Sequence, residues 1–254
     1  MQNDKINFSL IIPIGLMLFS FFFGAGNLIF PPVLGQMAGE NIGWGMLGFC
    51  LSGVGFPLLG VLAMAMKQSD NPDSIAMPMH PLYARAVTIL CALAIGPLFA
   101  IPRTAAVSFD TGIHSLLPAS CEAIGLPVYT VFFFVLTYFF SINPSKIIGH
   151  IGKFLSPMLL ICLAVLVVCV FVNPTGSLKM PNPDFAASPF FRGFQEGYNT
   201  MDLLAAILFG SITIKAIEAQ GITDKKVLTK LCSYAGLIAA FFLAIIYAAL
   251  AYTG

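Results

Sequence analysis

The chain has 254 residues, of which 58% are hydrophobic and only 9% charged, with 12 Lys and Arg against 11 Asp and Glu. A water-soluble domain carries about 25% charged residues, so this chain cannot coat a globule with polar surface, and its near-neutral balance leaves no basic face for nucleic acid. The composition predicts an all-α, polytopic membrane protein forming one transmembrane domain over residues 1–254, with the lipid bilayer as its surroundings.

Seven apolar segments follow one another, at 8–36, 43–66, 82–116, 126–143, 150–172, 188–218 and 229–252. Most are close to the roughly 20 residues that a spanning helix needs. The first lies behind Lys5 and contains "GAG", a pattern that can imitate a cleaved leader. The apolar character resumes at once with "NLIFPPVL", so no cleavage is expected.

The first segment is interrupted inside "FFFGAGNLIFPP", residues 21–32. Non-helical backbone is expected from Gly24 to Asn27, with a second half-helix starting near Asn27. Broken backbone at membrane depth is tolerated where its polar groups are buried in protein or line a cavity. Pro31 and Pro32 have no N–H to offer the carbonyls of Asn27 and Leu28, which leaves those oxygens free for a cation. The open amides of Ala25, Gly26 and Asn27 suit an anion such as a carboxylate. A plain proline kink is the alternative. Phe21, Phe22, Phe23, Ile29 and Phe30 can form an apolar pocket beside the break or face lipid.

The third segment holds Arg103 and Asp110, seven residues apart and about 10 Å along a helix axis. Intramembrane charges face the protein interior or a water path, or else snorkel to headgroups. Arg103 is a candidate pathway charge with both readings open, and Asp110 reads as an interface residue.

The sixth segment has an uncharged run, Leu203 to Ile214, too short to cross alone. Extended backwards it takes in Gly193, Gly197, Asn199 and Asp202, which predicts two half-helices and a polar joint near Gly197 to Asp202. Paired interrupted segments at corresponding positions point to a secondary transporter's binding site, and the spacing suggests a five-helix repeat. Asp202 at membrane depth needs a partner. It is expected to face the break in the first segment, or else to cap the second half-helix.

Lys and Arg set the orientation. With the N-terminus cytoplasmic, the inner segments hold Lys5, Lys67, Arg85, Lys146, Lys153, Lys215, Lys225, Lys226 and Lys230, and the outer ones hold Lys179 and Arg192.

The stretches "FFFGAGNLIFPP", "GPLFAIPRTAAVSF", "NPSK" and "GYNTMDLLAAILFG" resemble the bacterial branched-chain amino acid:cation symporters of the BrnQ type, over essentially the whole chain. That family is placed in the amino acid–polyamine–cation superfamily with a LeuT-like inverted-repeat fold. The resemblance implies a first five-helix repeat over 1–172 and the start of a second over 188–254, with helices one and six broken. It implies a carrier and not an enzyme, located in the bacterial cytoplasmic membrane. Leucine, isoleucine and valine would be its substrates, sodium or a proton its coupling cation, and no cofactor is implied. Gly24, Ala25, Gly26, Thr200 and Met201 become candidate substrate-binding residues, and Asn27, Phe23 and Asp202 candidate cation-binding residues. Such carriers have at least ten core helices, so the chain resembles the N-terminal part of one. An inactive fragment and a seven-helix receptor are the other readings, and the receptor is disfavoured by a cytoplasmic N-terminus.

Overall fold

A computed structural model describes residues 8–118, 122–142, 156–172, 179–222 and 224–254. The expectations attached to Lys5, Lys146, Lys153, "NPSK" and the start of the fifth segment lie outside the described residues. No strand occurs among the described residues.

The apolar segments fold as helices nearly where hydropathy places them. α1 (Phe8–Phe22) and α2 (Ala25–Ala38) form the first. α3 (Ile42–Cys50) continues through a π-helical turn at Leu51–Gly55 into α4 (Phe56–Lys67) to form the second. α5 (Pro81–Leu93) and α6 (Ala100–Gly112) make up the third, α7 (Glu122–Ser141) the fourth and α8 (Ser156–Val172) the fifth. A short α9 (Pro183–Ala187) leads into α10 (Pro189–Tyr198) and α11 (Asp202–Glu218), and α12 (Lys225–Thr253) ends the chain. By length and composition Ala25–Lys67, Pro81–Leu116, Ile124–Ser141 and Lys225–Thr253 can cross a bilayer, and α10 with α11 makes a fifth candidate, bent by 45°.

One departure from the expected layout has a local cause. The third segment is itself interrupted, by a π-helical turn at Ala94–Leu98 in which Gly96 leaves helical geometry (φ −84°, ψ −114°). Pro97 withholds an N–H there and Gly96 bends without steric cost. The stretch Ala25–Lys67 is not one straight rod. The chain reverses after α2, at Gly39 (φ 48°), a left-handed conformation that glycine adopts without penalty. A side chain at Gly39 would also strike the Lys179 carbonyl.

Helix direction follows from the contacts. Gly15 meets Ile238 and Gly35 meets Ala251, so α1 and α2 together run parallel to α12. Gly45 meets Gly193, Gly53 meets Gly197, Gly60 meets Ala206, and Gly210 meets Met64, so α3–α4 run parallel to α10–α11. The second interface is built from small residues. A Cβ on Gly193 would land on the Gly45 carbonyl, and one on Gly48 on the Phe190 carbonyl. Lipid tails are as apolar as any side chain, so helices in a membrane associate through close backbone packing and hydrogen bonds. Ser52 Oγ adds such a bond, donating to the Phe194 carbonyl at 2.6 Å. Gly193→Leu is expected to force these helices apart at a cost of about 2 kcal/mol or more. Thermal unfolding of the detergent-solubilised protein measures this, and an unchanged midpoint would contradict the close approach.

The core lies between α1, α4, α11 and α12, with Leu18, Phe19, Val61, Met64, Ile214, Leu231 and Leu243 buried. α7 and α8 turn residues such as Val131, Phe139, Ile161 and Val168 outward, a surface that hydrocarbon solvates and water does not. The charged residues segregate. Gln68, just past α4, donates to the Lys225 carbonyl at 3.3 Å, and Lys215 pairs with Asp70 at 3.7 Å, so Lys67, Lys215, Lys225 and Lys226 share one end of the bundle. The Lys179 carbonyl accepts from Glu40 N–H near the end of α2, and Arg192 pairs with Asp184, both at the opposite end.

Candidate functional site

The α1 ladder stops at Phe23, whose N–H still donates to the Phe19 carbonyl at 2.8 Å. Gly24 N–H donates instead to the Asn27 side-chain oxygen at 3.0 Å. Asn27 is the third residue of α2 and reaches back to the residue before the helix, as the second half of a capping box does. The break is therefore Phe23–Gly24, and Ala25, Gly26 and Asn27 are already helical. The expectation of non-helical backbone through Asn27 is corrected: the Asn27 side-chain oxygen satisfies the Gly24 amide, the first that the break leaves open, and the helix restarts two residues earlier, at Ala25. The amides of Ala25, Gly26 and Asn27 form the open first turn of α2, and Gly24 is not free to join them.

The second joint is also shorter than expected. Gly197 belongs to α10 and Asp202 begins α11, which leaves Asn199, Thr200 and Met201 between them. Met201 has φ 67°, a left-handed conformation that costs a non-glycine residue about 1–2 kcal/mol. Thr200 Oγ1 donates to the Gly197 carbonyl at 2.8 Å and accepts from Asp202 N–H at 3.4 Å. These local bonds hold the turn that aims Asp202 inward.

Asp202 is only 4% exposed and Asn27 1%. Asn27 Nδ2 donates to Asp202 Oδ2 at 2.5 Å and also to the Tyr247 hydroxyl. The Tyr247 hydroxyl donates in turn to Asp202 Oδ2 at 3.1 Å. A carboxylate at membrane depth is costly without partners, and here it takes two donors. The capping alternative for Asp202 is not what the structure has: the start of α11 carries no side-chain cap, and the carboxylate bonds side chains of α2 and α12. Tyr247 is fully buried, its ring 5.2 Å from Phe49 and 6.5 Å from Phe23. Sequence reasoning missed Tyr247. The available signal was a phenol in the middle of an apolar span, where a hydroxyl needs a partner.

Arg103 lies on α6 and reaches both breaks. Nη1 donates to the Asn199 carbonyl at 2.9 Å and Nη2 to the Thr200 carbonyl at 3.2 Å. Its guanidinium sits 5.5 Å from the Phe30 ring centroid, a cation–π distance. A Cβ on Gly26 would lie 2.6 Å from Arg103 Nη2, so the absent side chain of Gly26 makes room for the guanidinium. Asp110, at the far end of the same helix, is exposed. The aromatic residues beside the break face protein: Phe22 is buried, and Phe21 packs on Phe209 at 5.5 Å. The candidates Asn27, Asp202, Thr200, Gly26, Phe23 and Arg103 are thus brought into one connected set. Gly24 and Ala25 flank it, and half-buried Met201 bridges the second joint.

A sequence model of the branched-chain amino acid transport protein family matches residues 8–254. The branched-chain amino acid permease BrnQ of Bacillus subtilis (strain 168) is 45% identical over 253 residues, 100% of this chain and 58% of that protein. The permease BraB of the same organism is 43% identical over 243 residues, 96% of this chain and 54% of that protein. BrnQ of Escherichia coli (strain K12) is 39% identical over 240 residues, 94% of this chain and 54% of that protein. The chain thus spans little more than half the length of these relatives. No solved structure matches it. With two helix breaks meeting at one buried polar cluster, and a match along nearly all of its length, the chain belongs to the branched-chain amino acid transport protein family.

Proposed function

We propose that these residues form the binding half of a cation-coupled carrier for leucine, isoleucine and valine in the bacterial cytoplasmic membrane, working by alternating access. The observation that carries this reading is the meeting of the two joints. The open amides of Ala25 and Gly26 offer a carboxylate the positive end of α2, and the carbonyls of Asn199 and Thr200 offer an ammonium the negative end of α10. One guanidinium touches both places. Asn27, Phe23 and Asp202 are the proposed surroundings of the coupling cation. In the described arrangement the Asn27 oxygen is held by Gly24, so its use as a cation ligand requires that bond to open.

Helix packing supports the inverted-repeat, seven-crossing reading. Exchanging segment one with six and two with seven turns the α1–α2 contact on α12 into the α10–α11 contact on α3–α4, and both contacts are parallel. The end of the bundle bearing Lys67, Lys215, Lys225 and Lys226 is proposed as cytoplasmic, with the N-terminus on that side.

Transport is tested in a carrier of the relatives' full length built on this segment. Proteoliposomes are expected to accumulate radiolabelled leucine under an inward sodium or proton gradient, with isoleucine and valine competing. Uptake indifferent to both gradients would remove the coupling, and uptake insensitive to all three amino acids would remove the substrate class. The 254-residue chain alone, spanning little more than half of the relatives' length, is expected to insert without accumulating leucine. That makes the fragment reading compatible with family membership.

A further inference from the structure

Arg103 does more than line the joint. Its Nη1 and Nη2 occupy the carbonyls of Asn199 and Thr200, which close the C-terminal end of α10. A helix C-terminus carries partial negative charge, so these oxygens attract a cation. Arg103 Nε is buried with no hydrogen-bond partner among the described residues, an unfavourable state for a donor that an acceptor ligand would relieve. The nearby carboxylate does not supply that acceptor: Asp202 is committed to Asn27 and Tyr247, and the ion pairs among the described residues are Arg192–Asp184 and Lys215–Asp70. Gly26 leaves the guanidinium against the first turn of α2, where an anion is drawn.

These contacts set a condition on any ligand. An ammonium reaching the joint carbonyls must displace a resident cation of the same sign. The displaced guanidinium then needs an anion, because a bare charge at membrane depth is costly. An α-amino acid brings both groups two bonds apart. A simple amine displaces Arg103 and leaves it unpaired, and a simple carboxylate pairs with it but leaves no second cation for the carbonyls.

We propose that Arg103 is a specificity-determining residue: it holds the ammonium's place at the Asn199 and Thr200 carbonyls in the empty site, then moves onto the ligand's carboxylate, and so restricts binding to zwitterionic amino acids. This rests on the site described under Proposed function and adds the residue that enforces its chemistry.

The test uses the purified carrier of full family length and two probes, leucine and 3-methylbutan-1-amine, which is leucine without its carboxylate. Binding of each is measured directly, by equilibrium dialysis, to the parent protein and to Arg103→Gln and Arg103→Lys. The parent is expected to prefer leucine by about 100-fold or more, since a site built to bond a missing group rejects the analogue strongly. Arg103→Gln is expected to weaken leucine and strengthen the amine, lowering that ratio by at least about 30-fold. Arg103→Lys, which keeps the charge, is expected to retain most of the preference. A parallel fall in both affinities for Arg103→Gln, with the ratio unchanged, would show a merely structural arginine and overturn the proposal. So would an unchanged pair of affinities. If Arg103→Gln is not recovered folded, Arg103→Lys decides through its shorter, single-headed cation: a ratio identical to the parent for a lysine that cannot span both carbonyls overturns the proposal, and a reduced but surviving preference supports it. A parent that binds neither probe refutes the proposed function itself, a result distinct from any of these.

Discussion

Asp202→Asn in a full-length carrier is expected to lose most of the cation dependence of leucine uptake while leaving the protein in the membrane. The carboxylate sits at the meeting point of α2, α11 and α12 and accepts from Asn27 and Tyr247. An asparagine keeps the shape and removes the charge. Both donors address the same oxygen, Oδ2, so the amide oxygen can take its place and keep both hydrogen bonds. The loss of negative charge weakens any cation held beside it, and about a tenfold or greater rise in the cation concentration for half-maximal uptake is expected. The measurement is the initial rate of leucine uptake against sodium, lithium and proton concentration. A variant that keeps both its rate and its cation response would remove Asp202 from the coupling site. Thermal unfolding checks that the fold survives, which is expected because the amide oxygen can accept both bonds.

Gly26→Leu should abolish uptake, by about 100-fold or more, with insertion intact. A Cβ there already lies 2.6 Å from Arg103 Nη2, 3.1 Å from its Cζ and 3.3 Å from Phe30. The nearest atom is the far end of a flexible arginine, which can move aside, so Gly26→Ala is expected to be mild. A leucine needs the volume that the guanidinium occupies, and expels it from the Asn199 and Thr200 carbonyls. Because the glycine lies in the first turn of a helix with ordinary geometry, the backbone itself does not object to a side chain. The graded series therefore separates filling of the site from damage to the fold. Radiolabelled leucine uptake gives the activity, and resistance of the variant to alkaline extraction gives the insertion. Full uptake by Gly26→Leu would mean that the space between Gly26 and Arg103 is not part of the pathway.

The segments and their interruptions were legible in the sequence, because they are decided locally. Burying twenty residues in hydrocarbon is a matter of composition. Gly24 and Gly26 ahead of Pro31 and Pro32, and Gly197 ahead of Asp202, weaken helical hydrogen bonding wherever the chain goes. The third interruption, at Gly96 and Pro97, carries the same signal without a polar residue beside it. Where each break ends was harder: the restart of α2 at Ala25 depends on one side-chain rotamer of Asn27 reaching back to Gly24.

The partners were decided by tertiary structure alone. Asp202 needs a partner at membrane depth, but nothing local says that a phenol 45 residues later supplies one bond and an amide 175 residues earlier the other. Arg103 read equally as a snorkelling or an inward charge, since both begin from the same helix. Its direction was set when the packing of α6 against α2 brought the Asn199 and Thr200 carbonyls, 96 and 97 residues away, within its reach. Hydropathy and helix breaking act on a residue through its own solvent and backbone, so the sequence determined that this is a membrane protein with broken helices. A hydrogen bond across the bundle depends on relative placement to a few tenths of an ångström, and only the packed glycine faces of α3 with α10, and of α1 and α2 with α12, provide that.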